Sequence, residues 1–60
     1  MKRPYKVMVM QDDGYVQMYR TEDETIYKAI GAVTHIHTLQ FPQKPFRITY
    51  IEEEIQNERN

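Results

Sequence analysis

The sequence predicts a small α+β domain of order ββαββ: an antiparallel sheet of two hairpins with one short helix packed on one face. Three observations carry that expectation. Asp12-Asp13-Gly14 separates two β-rich runs, an apolar stripe at helical spacing begins at Ile26, and the period drops to two from Val33. A chain of 60 residues forms a single domain, 1–60.

The first hairpin pairs Tyr5 to Gln11 with Tyr15 to Arg20, with Gly14 at positive φ. A two-residue loop would oppose Val7 to Arg20 and Met10 to Gln17, mixing apolar with polar. A three-residue loop, Asp12 to Gly14, opposes Met10 to Val16, Met8 to Met18 and Val7 to Tyr19. The coherent pairs favour the second, a type I turn with a bulge. Both faces of this hairpin are apolar. One carries Met8, Met10, Val16 and Met18; the other carries Tyr5, Val7, Val9, Tyr15 and Tyr19. The methionine face is expected to pack under the helix, because methionine fills irregular gaps in a core. The tyrosine face is then left for a partner.

Thr21-Glu22-Asp23-Glu24 reads as a capping box that starts a helix from about Glu22 to Ile30, with Gly31 as its stop. Val33 to Phe41 alternates and is rich in β-branched residues, which predicts a third strand. Pro42-Gln43-Lys44-Pro45 turns the chain, and Phe46 to Ile51 returns beside it. That pairing opposes Leu39 to Ile48, His37 to Tyr50 and His35 to Glu52. The polar segment 53–60 reads as a frayed tail. The competing arrangement runs the helix on to about Gln40 and gives ββαβ.

A domain this small is marginally stable, since it buries only about 60% of the surface its unfolded chain exposes. With no cysteine to form a disulfide, a homodimer or another protein is the expected support. No apolar run approaches the ~18 residues of a membrane span, and the basic start lacks a signal-peptide pattern. The expected location is the cytoplasm.

Chemistry is sparse. There is no serine or cysteine nucleophile, no glycine-rich phosphate loop and no pair of carboxylates placed to converge in an apolar cleft. No enzyme activity and no cofactor are expected. His35 and His37, two apart on a strand with Glu52 opposite, form the one spacing that suggests a metal. The bland reading, a pair of polar-tipped strand residues, competes with it. Lys2, Arg3, Lys6 and Arg20 beside Tyr5, Tyr15 and Tyr19 resemble in outline a base-stacking platform for single strands. The acids Asp12, Asp13, Glu22, Asp23 and Glu24 oppose that reading, and the net charge of −1 provides no basic field. The expectation is therefore a non-enzymatic protein-interaction module. It would be a small regulator or inhibitor of the kind phages and mobile elements carry, docking on a larger protein through Tyr5, Val7, Val9, Tyr15 and Tyr19.

Overall fold

The first hairpin forms in the register its cross-strand pairs dictate. In the computed structural model, which describes residues 1–54, β1 (Arg3–Gln11) pairs antiparallel with β2 (Val16–Asp23). Met10 lies opposite Val16, Met8 opposite Met18 and Val7 opposite Tyr19. The Gly14 N–H donates to Gln11 O at 2.9 Å, and the Gln11 N–H to Tyr15 O at 2.8 Å. Gly14 takes φ +96°, the left-handed residue this three-residue loop requires.

Beyond the hairpin the expected order is corrected. One helix, α1 (Ile26–Gln40), covers the segment read as short helix plus strand, and a single strand follows, β3 (Phe46–Glu53). The fold is ββαβ, a three-stranded antiparallel sheet of order β2-β1-β3 with one helix packed on it. β3 pairs with β1, so none of the pairs expected between residues 33–41 and 46–52 exists.

The helix also starts later than expected. Thr21 belongs to β2, where its hydroxyl donates to Asp23 Oδ2 at 2.8 Å. Thr25 is the N-cap: it is extended (φ −139°, ψ 162°), and its hydroxyl accepts from the Lys28 N–H at 3.1 Å. Lys28 also reaches Glu24 one turn back at 2.8 Å. Gly31 lies within the helix on its exposed side and does not stop it. The helix ends at Phe41, whose N–H donates to His37 O at 2.9 Å.

Tertiary burial overrode the two-residue period. Ala29, Val33 and His37 recur every four residues and are the buried positions of the helix. The β-branched Thr34, Ile36 and Thr38 beside them face outward on it. Ala29 and Val33 pack on Tyr5, Val7 and Val9 of the central strand, and Tyr19, Phe46, Ile48 and Ile51 close the rim of this core.

β3 is not regular. Its register against β1 shifts between Met8 and Val9, leaving Thr49 as an extra residue. The bulge lets Ile48 and Ile51, an odd number of residues apart, both join the core. Of the segment expected as a tail, Glu53 ends β3 and the Glu54 N–H donates to Pro4 O at 2.9 Å. Residues 55–60 lie outside the described part of the chain.

Candidate functional site

The two faces of the sheet are assigned opposite to expectation. Tyr5, Val7 and Val9 are buried under the helix, so they offer no docking surface. Tyr19 is partly buried on that face, and burial raises its hydroxyl above the ordinary phenol pKa. Tyr15 alone of the five is well exposed; its ring packs on Phe41 and its hydroxyl donates to Gln17 Oε1 at 2.8 Å.

A buried histidine accounts for the inversion. His37 is completely covered, and its ring packs at a tilt against Phe41 and Phe46 at centroid distances of 4.8 and 4.7 Å. Both of its nitrogens need partners there, because an unpaired polar atom in a core costs about 1–3 kcal/mol. The tyrosine face supplies them. The Gln11 amide is satisfied when its oxygen accepts from His37 Nε2 at 2.9 Å and its nitrogen donates to the Asp13 carboxylate at 3.1 and 3.2 Å. The ring is then the Nε2–H tautomer, and its Nδ1 accepts from the Tyr19 hydroxyl at 2.6 Å. Asp13 in turn accepts from the Tyr15 N–H at 3.0 Å and from Lys44 Nζ at 3.3 Å. These bonds, the backbone one first, hold its carboxyl below the ordinary value.

Among the described residues, what remains uncovered is the methionine face. The ladder sets Val16, Met10 and Arg47 in one row across the three strands, and Met18, Met8 and Tyr50 in the next. Arg20, Lys6 and Glu52 form a third row. Val16 (44% exposed), Met18 (43%) and Tyr50 (48%) are open to solvent, while the central Met8 and Met10 are half-buried between them. The Tyr50 hydroxyl donates to Glu52 Oε1 at 2.7 Å, and this bond is the main cause that raises its pKa. Lys6 and Arg20 share Glu54 at 3.8 and 3.5 Å. The face is thus half apolar and half charged, divided across the strands.

The other sequence candidates do not assemble. His35 is exposed and His37 buried on different sides of α1, while Glu52 lies on the open face of the sheet. Among the described residues no group of three metal-ligating side chains converges. The stacking platform is dispersed as well. Tyr5 and Tyr19 face the helix, whereas Lys6 and Arg20 point to the open face, and Arg3 pairs with Glu53 at 3.6 Å. Asp12 and Asp13 stand at one end of the hairpin and Glu22 and Asp23 at the other. No helix of the described residues is long and apolar enough to cross a membrane.

The inversion had one signal in the sequence. His37 completes the series Ala29, Val33, His37 at helical spacing, but a histidine scored as polar hides the stripe. Comparison with known proteins gives no match: no family model, no curated protein and no solved structure is significantly similar to the chain.

Proposed function

We propose that this chain is a non-enzymatic interaction module of the cytoplasm, a small regulator or inhibitor that docks on a larger protein through the open face of its sheet. The single observation behind this reading is the pair of apolar rows, Val16-Met10 and Met18-Met8-Tyr50, which nothing in the described chain covers. A contiguous apolar patch rimmed by charge is the usual form of a protein contact surface. Flexible methionines let such a surface adapt to its target, and a tyrosine at the margin adds area at low entropic cost. The rim of Arg20, Lys6, Arg47, Glu52 and Glu54 carries both signs, which sets orientation and does not favour a phosphate backbone.

The substitution Met18→Glu tests this. Because Met18 is exposed on an edge strand, the folded state should lose no more than about 0.5 kcal/mol, read from a thermal melt. Capture of a host protein by the tagged chain, identified by mass spectrometry, should drop sharply. A variant that captures the same protein as the parent would contradict the reading.

A further inference from the structure

We propose that the β3 edge is a self-association site, at which two copies of this chain pair β3 with β3 antiparallel and merge their sheets into one of six strands. β3 is the last strand of the order β2-β1-β3 and has no neighbour on its outer side among the described residues. An edge strand presents a row of unpaired N–H and C=O groups, a template for another strand. The helix lies over β2 and β1, so Phe46, Ile48 and Ile51 on β3 are only partly buried. The opposite edge is less suited. Its helix-side residues are Gln17, Tyr19, Thr21 and Asp23, with Tyr19 bound to His37 and Thr21 to Asp23.

The occupant is a second copy because β3 is complementary to itself. With Thr49 opposite the partner's Tyr50, Arg47 falls opposite the partner's Glu52 and Ile48 opposite the partner's Ile51. Two-fold symmetry makes each of these pairs twice. The faces agree: Arg47 and Glu52 both lie on the open face, Ile48 and Ile51 both on the helix side. The agreement depends on the bulge at Thr49, and a slip of one residue in either direction sets helix-side residues against open-face ones. Arg47 has no ion-pair partner among the described residues, so its charge is available to this contact. Among the described residues Glu52 is engaged only by the Tyr50 hydroxyl on its own strand. The merged sheet would also set the two methionine-bearing faces side by side.

This proposal does not rest on open-face docking, and Met18→Glu, on the far strand β2, should leave the self-association unchanged. The test is sedimentation velocity on the full chain over a range of concentrations, with Arg47→Glu and Glu52→Arg made singly and together. The expected result is a reversible dimer of the 7.3 kDa chain. Each single reversal sets like charges opposite one another at two positions and should weaken the dimer about tenfold or more. The double variant, with the charges exchanged, should recover it. Circular dichroism establishes that each variant is folded. The proposal is overturned if the parent stays monomeric, if the single reversals dimerise as well as the parent, or if the double variant is no better than the singles. A monomeric chain whose β3 edge takes up a strand of a different protein would overturn it too.

Discussion

The two faces of one three-stranded sheet carry similar apolar content, yet one is core and the other is surface. On the covered side Tyr5, Val7 and Val9 meet Ala29 and Val33, and short or branched side chains on both elements permit close packing. On the open side Met8, Met10, Val16 and Met18 remain without a cover among the described residues. Hydrophobicity alone would not choose between them. The polar groups favour the tyrosine side, where Gln11 and Tyr19 supply both hydrogen bonds that a buried His37 requires. A helix that brings a histidine into the core selects the face that can satisfy it.

The largest expected effect that sharpens this comparison comes from removing the selecting group. His37→Ala leaves a cavity among Phe41, Phe46 and Tyr19, and Gln11 without its buried partner. The expected cost is about 3 kcal/mol, the sum of a large-to-small core change and an unsatisfied polar group. Urea unfolding measures it, and a loss below about 1 kcal/mol would show that His37 does not decide the face.

A smaller effect comes from Asp13, at the outer end of the same chain of bonds. Its folded pKa lies below the ordinary value of 3.8, chiefly through the Tyr15 N–H and then through Lys44. The unfolded state therefore binds the proton more readily. The stabilisation is fully present above 3.8 and is lost as pH falls through the lower folded value. Asp13→Asn, which keeps an acceptor for the Tyr15 N–H but cannot titrate, should be less acid-sensitive than the parent in melts across that window. Equal acid sensitivity in the two proteins would remove Asp13 from the account.

The parts of the fold fixed by local chemistry were legible in the sequence. The loop at Gly14 and the hairpin register follow from turn residues and cross-strand pairs, and the strand over Phe46 to Ile51 from the turn before it and its own β-rich composition. The parts that depend on long-range burial were not. Thr34, Ile36 and Thr38 have strand character, and nothing local shows that they face outward from a helix held by Ala29, Val33 and His37. Thr21 fits a helix start by local chemistry, but β2 continues to Asp23 beside Arg3 and moves the N-cap to Thr25. The bulge at Thr49 leaves no mark in the sequence, because it exists only in the pairing of β3 with the distant β1. The excess of apolar surface on the first hairpin was legible, but its location was not. Choosing the face required knowing that the buried histidine would sit above Gln11 and Tyr19.

Oxidation of the native chain by dilute hydrogen peroxide, followed residue by residue by peptide mass spectrometry, separates the two faces most directly. Met1 is fully exposed and serves as the internal reference. Met18 should form sulfoxide at a rate within a small factor of Met1, with Met8 and Met10 slower but still reactive, and denaturant should accelerate Met18 only slightly. Strong protection of Met18 that persists until the chain unfolds would place the methionines in the core and contradict the assignment.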